Sequence, residues 1–146
     1  MSILMGVAVF KGSCPFCKIV RKQAVASYVY EDERVAAFMD IRPLNEGHTL
    51  VILKRHFETI YDVPDEEVAH LYVIVRRIAR AVKKGVSAEG VTISQHNERA
   101  AGQDIFHLHV HVIPRYEGQK LPKFEEVKEA PRERLDDVAQ KIKQHL

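Results

Sequence analysis

Along residues 103–115, apolar and polar positions alternate strictly: Phe106, Leu108, Val110 and Val112 interleave with His107, His109 and His111. A period of two belongs to a β-strand, which sends residues i, i+2 and i+4 to one face. The pattern predicts a strand whose four apolar side chains meet a core and whose three imidazoles share the other side. Upstream, Gly102 suits a turn that brings backbone N–H groups close to a ligand. Pro114 is expected to close the run, because it cannot donate to a central ladder.

Other segments carry similar signals. Ser27–Glu31 reads as a strand, Asp32-Glu33 as a tight turn and Arg34–Met39 as the returning strand. Residues 40–47 form a loop punctuated by Pro43 and Gly47, and His48–Lys54 is a third strand. Pro64 followed by Asp65, Glu66 and Glu67 marks a helix start. Val68, Leu71, Tyr72, Val75, Ile78, Ala79 and Val82 then recur at helical steps, and Gly85 is expected to stop the helix. Arg76, Arg77, Arg80, Lys83 and Lys84 read as its solvated basic face. Val91–Gln95 is a fourth strand and the histidine strand a fifth. Beyond Arg115 the chain turns polar, with a short surface helix expected over residues 132–145 and no evident chemistry. Short connections between strands and one long helix imply an α+β class with an antiparallel sheet.

Length and composition narrow the class. At 146 residues the chain is expected to form one domain, residues 1–146, with a core over about 12–116 and a C-terminal extension over 117–146. A formal charge of +2 argues against nucleic acid held by bulk electrostatics. No apolar run approaches the roughly 20 residues needed to span a bilayer, so no membrane partner is expected. The apolar stretch Ile3–Phe10 is short and lacks a basic leader, so no signal peptide is expected and the location is read as cytoplasmic.

Three imidazoles on one strand face gain nothing in packing over Val or Thr, which makes a chemical role the better explanation. Neutral imidazole is a nucleophile or metal ligand; the protonated ring binds phosphate or acts as an acid. The two cysteines form Cys14-Pro15-Phe16-Cys17, either a redox pair or half of a zinc site. No full strand–helix–strand pattern surrounds it, and zinc would need two further ligands from among the histidines.

His107-Leu108-His109-Val110-His111-Val112-Ile113 matches the signature His-φ-His-φ-His-φ-φ, with φ apolar, at every position. The chain therefore resembles the histidine-triad (HIT) family. That resemblance implies a five-stranded antiparallel sheet with helices packed on one side, one long and one short, and homodimers formed through the long helix and a strand. It implies hydrolysis or nucleotidyl transfer at the α-phosphate of purine nucleotide derivatives, with His109 as nucleophile and a nucleotidyl-histidine intermediate. By the same resemblance His111 faces the phosphate oxygens, His48 joins the hydrogen-bond network and Gln103 lies near the phosphates with the backbone of Gly102 and Asp104. Asp40 is expected at the ribose hydroxyls, Asn97 in the loop before the triad, and Phe16, Ile19, Phe38 and Ile41 in an apolar slot for the base. Asp104 departs from the Ser or Thr common there, since an ionised carboxylate cannot donate a hydrogen bond to phosphate. Family members with zinc imply a structural Cys2His2 site of Cys14, Cys17, His56 and His107. His96 receives no role. The triad is shared by the branches acting on nucleoside phosphoramidates and on dinucleoside polyphosphates, whereas the sugar-phosphate branch has glutamine where His111 stands. Three alternatives stay open: a metallohydrolase with a catalytic zinc on His107, His109 and a third histidine, a non-catalytic nucleotide-binding protein, and a zinc-knuckle nucleic-acid binder.

Overall fold

In a computed structural model the chain is described over residues 11–146; the apolar stretch Ile3–Phe10 lies outside them. Among the described residues the fold is built of ten segments. Helix α1 spans Pro15–Val20, followed by strands β1 (Tyr28–Glu31), β2 (Val35–Met39) and β3 (Thr49–Leu53). The long helix α2 covers Asp65–Gly85 and leads to β4 (Gly90–Gln95), β5 (His109–Arg115) and helix α3 (Arg132–Lys143). Short 3-10 turns occupy Arg99–Ala101 and Phe124–Glu126. The five strands form one antiparallel sheet in the order β1-β2-β3-β5-β4.

The sheet has two different faces. Val51, Val110 and Val112 join Leu71, Ile74, Val75, Ile78 and Val82 of α2 in the main core. Ala36, Phe38, Leu50 and Ile52 point the other way and pack against Cys14, Phe16 and Cys17. Cross-strand register carries the histidines to this second face, because His109 pairs with Ile52 and His111 with Leu50. The α2 apolar stripe is as its periodicity predicts, and Arg76, Arg77, Arg80, Lys83 and Lys84 are all exposed.

Several details differ from the sequence reading. The alternation overextends the fifth strand: β5 begins at His109, and Leu108 N–H donates to Phe57 O at 2.7 Å instead of joining a ladder. Phe106 therefore lies on a loop outside the core, 36% exposed, with the Arg99 guanidinium 5.8 Å from its ring centroid. Pro114 does not end the strand. It pairs with Val91 of β4 and lies past the last β3 pair, Thr49 with Val112, so that side has no ladder to break.

The C-terminal helix is more than a surface helix. Leu135, Val138, Ala139 and Ile142 are buried in the main core, and Ser27 Oγ donates to Asp136 Oδ1 at 2.6 Å to hold α3 on β1. Gly85 also has a different role from the expected stop. It is the last helical residue and has no positive φ; a Cβ there would meet the Ile142 Cα at 3.0 Å. Glycine at 85 is thus what lets α3 lie against the end of α2.

Candidate active site and metal cluster

A hollow of about 300 Å³ opens on the second sheet face. Its apolar side comes from Phe16 and Ile19 of α1, Phe38 of β2 and Ile41 just after it; Asp40, Asp104, His109 and His111 form the polar end. Phe16 contacts the edge of Phe38, with centroids 5.6 Å apart, and of His109 at 5.2 Å. Helix α1 thus bridges the apolar slot and the triad. Pro15 at its first turn and the Cys14 cap explain why six residues suffice.

Hydrogen bonds fix the tautomers. His109 Nδ1–H donates to His107 O at 2.7 Å, which leaves Nε2 with its lone pair. Leu44 N–H donates to His48 Nδ1 at 3.1 Å, so the proton of neutral His48 sits on Nε2. That Nε2–H lies 3.0 Å from His111 Nδ1 and 3.5 Å from Asp40 Oδ2. His111 therefore accepts at Nδ1 and carries its own proton on Nε2. A backbone N–H in the Asp40–Gly47 loop thereby sets, through His48, the donor end of a ring on the neighbouring strand β5.

Burial keeps these rings neutral. It pulls His48 down to about 3, with the neighbouring His111 and His109 adding to the effect. His111 falls to about 4, chiefly by burial and then by His109 and His96, with Asp104 opposing. Burial also lowers His109, opposed by the His107 carbonyl and by Asp104. Asp40 moves the other way, up to about 6, because burial outweighs the Arg42 N–H donated to Oδ1 at 2.9 Å.

A second cluster lies beside the first. Cys14 Sγ, Cys17 Sγ, His56 Nδ1 and His107 Nδ1 are buried and all lie within 4.8 Å of one another. The closest approaches are 3.3 Å from Cys14 Sγ to His107 Nδ1, 3.3 Å from Cys17 Sγ to His56 Nδ1 and 3.1 Å between the two Nδ1 atoms. Zinc–sulfur bonds of about 2.3 Å and zinc–nitrogen bonds of about 2.0 Å in a tetrahedron give ligand separations of roughly 3.3–3.8 Å. His107 Nε2–H donates to Leu53 O at 2.8 Å, turning the Nδ1 lone pair toward the thiols as a metal ligand requires. The four residues can hold a metal ion. His107 consequently faces this cluster and His109 the hollow, so the two rings do not converge on one metal. Asp40, His48 and His111 also lie close together, but Leu44 N–H puts the proton of neutral His48 on the nitrogen that would have to bind.

The remaining residues singled out in the sequence are placed unevenly. Gln103 is buried, donating from Nε2 to Glu58 O at 2.6 Å and Ile105 O at 3.1 Å while accepting Glu98 N–H at 2.6 Å. Its amide braces the loop and does not line the hollow. Asn97 likewise accepts Ile60 N–H at 2.8 Å and exchanges hydrogen bonds with Gln95. Gly102 has φ +93°, with His96 Nδ1 3.1 Å from where its Cβ would stand. Asp104 lines the hollow with Oδ1 4.0 Å from His109 Nε2, and the same oxygen accepts Ile105 N–H at 2.9 Å.

Two aromatic neighbours of the triad had no assigned role. The His96 ring lies 5.6 Å from His111. Phe124, in the segment read as devoid of chemistry, lines the hollow 5.7 Å from His111 and 6.4 Å from His48. The segment bearing it is held at both ends: Asn45 Nδ2 donates to Gln119 Oε1 at 2.7 Å, and Ala130 N–H to Ile41 O at 2.8 Å. A lone Phe in a polar stretch, at no regular spacing from the motif, gives no sequence signal for this placement.

Residues 21–118 match the HIT domain. The chain belongs to the HIT family. An uncharacterised HIT-like protein of Methanocaldococcus jannaschii is 44% identical over 131 residues, 89% of this chain and 98% of that protein. Arabidopsis thaliana adenylylsulfatase HINT3 is 37% identical over 107 residues, 73% of this chain and 54% of that protein. Among solved structures, a HIT-like protein of Bartonella henselae superposes with a TM-score of 0.86 at 40% identity, covering 94% of this chain and 99% of that one. A zinc-bound histidine-triad protein of Mycobacterium smegmatis has a TM-score of 0.80 at 39% identity, covering 91% and 92%. The domain match stops short of Cys14 and Cys17 on one side and Phe124 on the other. Among the described residues, no helix is long and apolar enough to cross a membrane.

Proposed function

We propose that this HIT protein is a nucleotide hydrolase or nucleotidyl transferase acting at the α-phosphate of purine nucleotide derivatives, phosphoramidates or dinucleoside polyphosphates. The observation carrying this reading is the His109 ring: Nδ1–H is held on a backbone carbonyl while Nε2 borders a hollow with an apolar slot. His109 Nε2 attacks phosphorus, the leaving group departs, and water then cleaves the nucleotidyl-histidine. A neutral nucleophile avoids the repulsion that an anion would meet at a phosphate. His111, carrying its proton on Nε2, donates to a phosphate oxygen, and His48 holds it in that tautomer. Phe16, Ile19, Phe38 and Ile41 take the base and Asp40 accepts from the ribose hydroxyls. Gln103, with Gly102, shapes the phosphate loop from behind, and Asn97 anchors that loop's start to Ile60. The name adenylylsulfatase given to the Arabidopsis relative accords with work on an adenylyl group.

Zinc is the metal that two thiolates and two imidazoles fit best, and Cys14, Cys17, His56 and His107 would hold it. With four protein ligands such an ion would be structural, tying α1 to His56 after β3 and to His107 just before β5. The chemistry itself falls to His109. The protein works as a homodimer through α2 and the edge strand β4, where Val73 and Ile93 are exposed, and in a reducing cytoplasm, which suits its cysteines. The fold comprises one domain with residues 117–146 as an integral extension.

The deciding assay measures kcat/KM for an adenosine phosphoramidate and a diadenosine polyphosphate, with His109→Ala as control. Turnover lost in His109→Ala supports the reading; equal turnover by the variant overturns it and moves the chemistry to another group, while no turnover of either compound by wild type leaves a nucleotide-binding protein.

A further inference from the structure

We propose that Asp104 sorts substrates by the charge of the group leaving phosphorus, favouring phosphoramidates of cationic amines over substrates whose leaving group is anionic. This rests on His109 being the nucleophile. Asp104 stands at the edge of the hollow with its side chain 75% exposed and Oδ1 4.0 Å from His109 Nε2. In an in-line displacement the leaving group sits across phosphorus from Nε2. With the apolar slot holding the base, it departs by the open mouth of the hollow, where the exposed carboxylate of Asp104 also stands.

Asp104 cannot donate a hydrogen bond to the departing atom as a hydroxyl would. What it supplies is negative charge. Every substrate carries the same α-phosphate, so the repulsion between that phosphate and Asp104 is common to all and cancels in any ratio of substrates. Only the charge of the leaving group remains to discriminate. A pendant ammonium is attracted and a carboxylate or phosphate chain repelled, and the two effects add when the substrates are compared.

Other charges lining the hollow do not offset this. Arg42 is 3.8 Å from Glu129 and is thereby partly neutralised. Asp40 lies deeper, against His48 at 3.5 Å, and is of the same sign as Asp104. His111 is neutral in its buried tautomer.

Water is the only co-reactant. The bond from His109 Nε2 to phosphorus forms as the P–N bond breaks. The amine nitrogen keeps the bonding pair and takes a proton from water at the open mouth; the hydroxide left there then attacks phosphorus and breaks the Nε2–phosphorus bond, returning neutral His109 and the nucleoside monophosphate.

Two adenosine phosphoramidates of similar length test the idea, one of putrescine with a pendant ammonium and one of γ-aminobutyrate with a pendant carboxylate. Asp104→Asn retains the oxygen that accepts Ile105 N–H, so the loop is kept while the charge is removed. The expected result is that wild type prefers the putrescine conjugate and that Asp104→Asn cuts this preference at least about five-fold in kcat/KM, the scale expected of two screened charge interactions. Asp104→Ser should fall the same way. Turnover of both conjugates with a preference that changes less than about two-fold in both variants overturns the role of Asp104 and leaves His109 chemistry standing. Wild type that turns over neither conjugate overturns this inference; the nucleophile reading falls with it only if a diadenosine polyphosphate is not turned over either.

Discussion

At the scale of single residues, what matters most is which nitrogen of each ring carries a proton. The alternation 107–111 made the three histidines legible, but their tautomers depend on Leu44 N–H, His107 O and Leu53 O, backbone groups that no motif spells out. The same holds for Gln103 and Asn97, whose residue types suggest ligand contact while their amides are used to brace loops. Asp40 gives the pH prediction. Its acid is raised to about 6 by burial, so the ionised form proposed to accept ribose hydroxyls exists above that pH and is lost as pH falls through it. A kcat/KM profile should carry an acid limb near pH 6, expressed through KM. Asp40→Asn should remove the limb and raise KM at pH 7.5 by about ten-fold, the scale of a lost charge-assisted hydrogen bond. A limb that persists unchanged in the variant would assign it elsewhere.

At the scale of elements, strand and helix periods gave β1 to β4 and α2 to within about a residue at each end, the margin expected of such boundaries. They failed where tertiary contacts decide: β5 starts late because Leu108 bonds to Phe57, and α3 is a core element because α2 ends in a glycine. Gly85→Ala should therefore destabilise the protein by about 1–3 kcal/mol, the overpacking cost, although alanine in a helix is usually favoured by about 1 kcal/mol. Thermal unfolding decides it, and a raised Tm would mean that α3 yields freely. The β1–β2 turn offers a second check. Asp32 is held down at about 2: burial alone would raise it, but hydrogen bonds from Arg34, Tyr30, His70 and Val35 outweigh that. A carboxyl with a depressed folded pKa stabilises above its unfolded value and loses that stability as pH falls through the folded one. Acid unfolding of wild type should thus draw on Asp32 between about pH 4 and pH 2, and Asp32→Asn should blunt that part of the curve. An unchanged slope would show the turn to be indifferent to the charge.

At the scale of the whole molecule, the metal cluster and the reactive ring share one segment: His107 turns toward the thiols and His109 toward the hollow, so whatever fixes one fixes the other. The cysteine pair and the histidines were readable as ligands from their types, but which two histidines join depends on the fold bringing α1 over β5. Removing the metal with a chelator should lower Tm by roughly 10 °C, the shift produced by a few kcal/mol in a domain of this size, and Cys14→Ser should do the same. Loss of activity at low temperature with the fold intact, restored by other divalent metals, would instead mark the metal as catalytic. The central claim is a bond between His109 and phosphorus. Its most direct test is an acid-quenched single turnover of an adenosine phosphoramidate, followed by peptide mass analysis. An adenylyl mass on the peptide carrying His109 in wild type, and none in His109→Ala, is the expected result; rapid turnover by wild type with no adduct at any time would contradict it.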